Sequence, residues 1–356
     1  MKEEWRLVKL KFGRSPAHFG EVGIGMEETG TQVASDTLFS AVMTAYARLY
    51  GGNDIAELLG QFPSEKSPQH QPPFRFSSTF IYRQTGDRDI YYLPRPQKFP
   101  VNYPYEDVQF FKTYKKLSYL PLEVWQKWYQ REGFTEADKE ELIRETEKPE
   151  SSVWLREQGT FDYQKAFQTG LQPKVAVDRI TAATNFYHIK LVQFQWEQNG
   201  QEITSLSGLY FLLCFPERNK ELESKLEAAF HLLGEEGLGG DRSSGLGRFE
   251  VEWLSLPEPW QKIVNFTQTT HQCLISLFWD IDLPDNFLAE SSYEIKPRGG
   301  WLSGQQLRRQ MVRMFAEGSV LREVPPGKLA DVTPTEYKPH PIYRSGISLS
   351  LPIRLS

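Results

Sequence analysis

The sequence predicts an α+β fold on three observations: runs that alternate with period two, two amphipathic helical stripes, and one stretch apolar on both faces. The first strand is set by Arg6, Val8, Leu10 and Phe12 on one face and Trp5, Leu7, Lys9 and Lys11 on the other. A loop punctuated by Gly20, Gly23 and Gly25 follows. Ser35 is then placed to cap a helix whose Leu38, Val42, Ala45 and Leu49 recur at helical spacing until Gly51-Gly52 ends it. Phe74, Phe76, Ser78, Phe80 and Tyr82 alternate up to a turn at Gln84–Asp87, and Asp89–Leu93 returns, which predicts a β-hairpin.

Regularity then fades. Prolines punctuate residues 93–100, and Lys112, Lys115 and Lys116 interleave with aromatics. Residues 131–150 carry eight acidic against four basic side chains, the pattern of a solvated helix. Leu209–Phe215 is apolar apart from Tyr210 and predicts a central strand. Asn219 caps a second helix striped by Leu222, Leu226, Phe230 and Leu233 and closed by Gly234. Beyond the glycine-rich segment 237–248, Phe249, Val251 and Trp253 alternate as a further strand. The order β-α-β-β-insertion-β-α-β approximates the ferredoxin-like split βαβ unit, which many RNA-recognition modules share. Leu256–Trp260 reads as a linker. It divides a domain over residues 1–256 from a smaller one over 257–356, where 273–279, 293–297, 311–315 and 347–351 are strand candidates around a polar segment, 303–309.

Composition narrows the function. With 39% hydrophobic, 13% aromatic and 24% charged residues, the 356-residue chain is built to fold around a core. The run 209–215 is far short of the roughly 20 apolar residues a membrane span needs, and the charged N-terminus lacks a signal-peptide pattern, so a cytoplasmic protein with no membrane contact is expected. Two cysteines, Cys214 and Cys273, sit in apolar runs without ligand spacing and predict buried thiols; no metal or cofactor is expected. A net charge of −5 means any case for nucleic acid rests on local patches.

The densest patch is 237–248. A dinucleotide fingerprint runs strand, glycines, helix, whereas here the glycines follow a helix and precede a strand, and no Gly-Lys-Ser/Thr is present. What remains is a loop in which Gly239, Gly240, Gly245 and Gly247 expose amides while Arg242, Ser243 and Ser244 add charge and donors, a set suited to a bent phosphate backbone. A helix cap and a tight turn would account for two of the segment's five glycines, not for all five. A second candidate combines His18 with the helix start Ser35-Asp36-Thr37, where free amides attract anions; Asp36 argues equally for a simple dipole partner. None of the six histidines has metal or triad spacing, and only His18 and His188 suit a general base for ribose cleavage. A third region, 294–328, carries seven cations against three glutamates, with Arg298 and a Trp301 able to stack on a base or pack inside.

Several stretches together resemble the RAMP superfamily of CRISPR effector proteins. They are His18-Phe-Gly-Glu21, Ser35-Asp-Thr-Leu-Phe-Ser-Ala41 and Gly237-Leu-Gly-Gly-Asp-Arg-Ser-Ser-Gly-Leu-Gly-Arg-Phe249. Leu93-Pro-Arg-Pro, residues 115–121, Val177-Asp-Arg179-Ile-Thr181, Arg298-Gly-Gly-Trp301, 318–320 and His340-Pro-Ile-Tyr-Arg344 narrow this to the Cas-five group, the fourth subunits of type III-A Csm complexes. The resemblance implies two ferredoxin-like units, with a thumb inserted in the first at about 95–205. It also implies a non-catalytic RNA-binding scaffold, not an enzyme. Such a subunit holds the repeat-derived 5′ tag of the crRNA, joins the large polymerase-like signature subunit to the backbone RAMP subunit, and meets target RNA indirectly. Carried over, the RNA-binding set is His18, Ser35, Asp36, Thr37, Lys112, Lys115, Lys116, Arg179, the glycine loop, Arg298, Trp301 and Arg344. Thr181-Ala-Ala-Thr184 lacks the glycine the family pattern has there. The alternative is a metal-independent endoribonuclease that processes repeat RNA, with His18 as base.

Overall fold

In the computed structural model, which describes residues 3–20, 27–149, 151–178, 180–199, 202–302 and 307–355, strands form where alternation or a two-sided apolar run predicts them, and four more form in the insertion, where none was expected. The strands are β1 (Glu4–Lys11), β2 (Arg75–Phe76), β3 (Phe80–Thr85), β4 (Arg88–Pro94) and β5 (Tyr119–Pro121), then β6 (Phe167–Val177), β7 (Thr184–Phe194), β8 (Trp196–Asn199), β9 (Glu202–Phe215) and β10 (Glu250–Ser255), of which β5 to β8 are the four in the insertion. The helices are α1 (Ser35–Gly60), α2 (Phe111–Lys116), α3 (Leu122–Gln130), α4 (Glu136–Glu147), α5 (Trp154–Glu157), α6 (Lys220–Glu236) and α7 (Glu258–Val264). The main sheet has the order β10-β1-β9-β3-β4-β5, all pairs antiparallel. With α1 after β1 and α6 after β9, β10-β1-β9-β3 is the strand order of a split βαβ unit. The apolar run 209–215 lies near the middle of this sheet, as its two-sided hydrophobicity requires.

Each sheet face has its own core. Val8, Leu10, Leu209, Phe211 and Leu213 pack under α1 and α6 with Leu38, Val42, Leu226 and Phe230. Leu7, Tyr82, Tyr210, Leu212 and Cys214 pack on the other side against Trp125, Trp260, Cys273, Ile275 and Leu351. Both cysteines are buried and free. Because α3, α7 and C-terminal strands cover this second face, the sheet offers no open surface on which bases stack in the manner of an RNA-recognition module.

Several expectations need correction. Leu49 is 44% exposed, since the helix breaks at Gly51 (φ 90°, ψ 173°) and resumes to Gly60. Gly234 lies inside α6 and Gly237, at φ 88°, ends it; a side chain at 234 would collide with the Phe249 carbonyl, so the glycine permits close packing. Residues 256–260 are not a linker, because Trp260 is fully buried and α7 forms part of the second core. After Val264 the described residues contain no helix: 271–274, 320–321 and 350–353 form one small sheet, and 295–298/312–315 and 329–331/343–345 form two ribbons. A second complete ferredoxin-like unit, with its two helices, is therefore absent among the described residues. The 95–205 insertion is two things. Its helices α2 to α4 join the core, with Thr135 and Asp138 forming a capping box at α4, while β6 and β7 pair over eleven residues each as a ribbon whose base, Val192 and Phe194, packs into the first core and whose turn end is exposed. At about 3.4 Å per residue this ribbon extends roughly 35 Å, and Leu171, Val175, Ile180 and Phe186 on it are exposed. No helix among the described residues is long and apolar enough to cross a membrane.

Candidate RNA interface

The glycine loop is shaped by what it packs against. Gly237, Gly239, Gly245 and Gly247 all have positive φ, and Asp241 is left-handed as well. A side chain at Gly239 would strike the His18 carbonyl and one at Gly247 the Leu238 carbonyl, so both positions exclude a Cβ. The amides are less available than the sequence suggests. Gly240 N–H donates to His18 O and Gly247 N–H to Pro16 O, both at 2.8 Å, while Leu238, Ser244 and Gly245 donate within the loop. What the loop presents outward is the side chains of Arg242, Ser243, Ser244 and Arg248, all exposed, and neither arginine has an ion pair among the described residues.

The segment before His18 joins the base of the ribbon. Ala17 and Val192 exchange both backbone hydrogen bonds, at 2.9 and 2.8 Å. The His18 ring is 6% exposed, and its Nδ1 lies 2.8 Å from the Lys190 carbonyl, which can only accept, so Nδ1 carries the hydrogen. From the other ribbon strand Lys174 pairs with Asp241. Partial burial opposes the charge on Asp241, but hydrogen bonds from Lys174 and Ser244 and the attraction of Lys174 outweigh it and hold its carboxyl below 3.8. Three segments distant in sequence thus meet at one edge: His18, the ribbon base and the glycine loop.

The α1 start departs from expectation. The N-cap is Ala34 and no side chain caps it; Ser35 instead accepts from Leu277 N–H at 2.9 Å and donates its own amide to Ser78 Oγ. Asp36 is fully buried. Arg298 meets it with two 2.9 Å bonds and also reaches Thr37 Oγ1, and Arg344 bonds both Asp36 and the Gly299 carbonyl. Burial alone would raise the Asp36 carboxyl, yet attraction and hydrogen bonds from the two arginines win and hold it below 3.8. Ser35, Asp36, Arg298 and Arg344, all buried, therefore form a knot between α1 and the C-terminal strands, not the open phosphate grip expected of them.

Residues 267–353 match the family model for the CRISPR Csm4 C-terminal domain. The chain is 26% identical to the CRISPR system Cms protein Csm4 of Methanocaldococcus jannaschii, covering 90% of this chain and 86% of that one. It is 23% identical to the Thermococcus onnurineus protein of the same name, covering 82% and 83%. These matches make the chain similar to Csm4 proteins over most of its length. Its fold is similar to a crystal structure of a Csm3–Csm4 subcomplex of the type III-A CRISPR-Cas interference complex, with a TM-score of 0.60 at 20% identity over 98% of this chain and 100% of that one.

The other expected residues do not all converge. Lys112, Lys115 and Lys116 are exposed on α2 and line a separate groove of about 1120 Å³, with the stacked rings of Tyr119 and Tyr163 4.5 Å apart beside them. Desolvation pushes the Tyr119 hydroxyl up to about 12. Trp301 is 56% exposed, with the Arg308 guanidinium 4.5 Å from its ring centroid, so it is not a core residue. Arg179, Glu21 and residues 303–306 lie outside the described residues. Lys9, close in sequence to the second candidate, is buried on the opposite sheet face and paired with Asp89 at 2.6 Å. Sequence reading missed Lys174, Lys190, Arg14 and Trp196. Only the pairing of two long strands brings them to this edge, and no local spacing marks them.

Proposed function

We propose that this chain is a non-catalytic scaffold subunit of a type III-A CRISPR interference complex. On this reading it holds the 5′ repeat-derived tag of the crRNA and joins the large polymerase-like signature subunit to the backbone RAMP subunit, so that target RNA meets it only through the assembly, in antiviral defence. The observation that carries the reading is the convergence of the glycine loop, the His18 segment and the ribbon base, with Arg242, Ser243, Ser244 and Arg248 turned outward at a single edge. Side-chain charge and hydroxyls on a rigid loop suit phosphates without reading sequence. The ribbon, with apolar residues exposed along it, supports the expected thumb and a packing partner. The match to the Csm4 C-terminal domain model, the similarity to Csm4 relatives and the likeness to a Csm3–Csm4 subcomplex structure support the assembly role. The domain division at 256/257 stays part of this proposal, with α7 as the packed joint.

The nuclease alternative is less well supported. His18 is nearly buried, its Nδ1 is engaged by a main-chain carbonyl, and its own carbonyl anchors Gly240, all of which suit a positioning role. The test is binding of labelled 5′-tag RNA to the purified chain, alone and with the large subunit, at two salt concentrations. Salt-sensitive binding weakened by Arg242→Ala, with intact RNA afterwards, is expected. Cleavage abolished by His18→Ala would move the assignment to the nuclease, and absence of binding by either sample would leave a protein-only adaptor.

A further inference from the structure

We propose that the groove between the glycine loop and the ribbon base receives one base of a single-stranded RNA, held against Trp196 and Arg14. The proposal rests on the RNA-scaffold reading above and adds a binding pocket to it. The groove has a volume of about 600 Å³, within the usual range of small-molecule sites, roughly 300–1,000 Å³. The Arg14 guanidinium lies 4.2 Å from the centroid of the Trp196 ring, so two flat surfaces suited to stacking a base stand together in one wall. The descending limb of the glycine loop, Arg248 and Phe249, also lines the groove.

The polar groups suit a base better than a phosphate. Ser205 lines the groove, is 6% exposed, and its Oγ has no hydrogen-bond partner among the described residues. A buried hydroxyl left this way costs free energy that a ligand can recover. Gln84 offers both a donor and an acceptor. Glu235 and Glu250 also line the groove and are exposed. They would repel a phosphate inside it but accept from an exocyclic amine of a base. Lys11 is already paired with Glu252 at 2.7 Å, whereas exposed Arg248 has no ion pair among the described residues and is positioned for the phosphate that follows the base. Neither Arg14 nor Trp196 belongs to the glycine-loop grip, so their contribution separates from it.

The experiment measures affinity of the full chain for tag RNA and for a set of tag RNAs each lacking one base. Trp196→Ala is expected to weaken intact RNA roughly tenfold to a hundredfold, and to have no further effect on one member of the abasic set. Trp196→Phe, which keeps a stacking ring, should retain most of the affinity. Unchanged binding by a folded Trp196→Ala chain, or an equal loss on every abasic RNA, would overturn the pocket. If Arg242→Ala still weakens binding in that case, the scaffold reading survives; if wild type binds no RNA, both fail. A free nucleoside monophosphate that binds as tightly as the RNA would reassign the pocket to a soluble nucleotide.

Discussion

The α1 start and the glycine loop carry the same outward signs of anion binding, namely small residues, hydroxyls and cations, and the fold treats them in opposite ways. At the α1 start, Arg298 and Arg344 turn inward to a fully buried Asp36 and tie the C-terminal strands to the first helix. At the glycine loop Gly239 meets the His18 carbonyl, Gly237 and Gly247 meet carbonyls of the loop itself, and the side chains between them, Arg242 to Ser244, remain in solvent. Cations near a helix terminus thus signify a ligand only when no carboxylate of the chain has already claimed them. Asp36 is that carboxylate.

The largest effect that could break this contrast lies in Asp36 itself. Asp36→Ala removes the buried carboxylate that Arg298 and Arg344 share and should destabilise the chain by about 3–5 kcal/mol, as measured by urea unfolding. A stable variant with selectively weakened RNA binding would return the α1 start to the interface. Next comes the loop backbone. Gly245→Ala, at φ 82° with open space around the added Cβ, should cost about 1–2 kcal/mol. Gly247→Ala should exceed that, since its Cβ also meets the Leu238 carbonyl. Equal costs would mean that the two limbs of the loop do not pack on each other as described. Arg242→Ala should leave unfolding within about 0.5 kcal/mol of wild type while lowering the slope of log affinity against log salt by about one.

The smallest effect is one of pH. The folded Asp36 carboxyl titrates below its ordinary value of 3.8, so the native state binds this proton less readily than the unfolded chain. Its stabilisation is present above that ordinary value and disappears as pH falls through the folded one. The stability difference between wild type and Asp36→Asn should therefore stay constant from neutral pH to about pH 5 and shrink only in more acidic solution. A difference that shrinks already near pH 6 would point to a different titrating group.

Much of the architecture was legible in local pattern. Alternation at β1 and β10, the two-sided apolar β9, the Gly86 turn and the Asn219 cap each depend on neighbours a few residues away, and the backbone obeys them. The glycine loop was legible as a site of unusual backbone, although most of its glycines answer to contacts with Pro16, His18 and Leu238 instead of a ligand. Other features had no local signature. The sheet's second face is covered because Trp125, Trp260 and Leu351 converge on it from separate parts of the chain. Asp36 is neutralised by arginines 262 and 308 residues away. Trp196 reaches Arg14 only after the ribbon folds back to β7's end. Periodicity and turn chemistry are short-range and so determined β1, β3, β4, β9 and β10, the helices α1 and α6, and the Gly86 turn. Burial and charge pairing depend on which distant segments share a face, and the tertiary structure alone decided which cations were left for a partner.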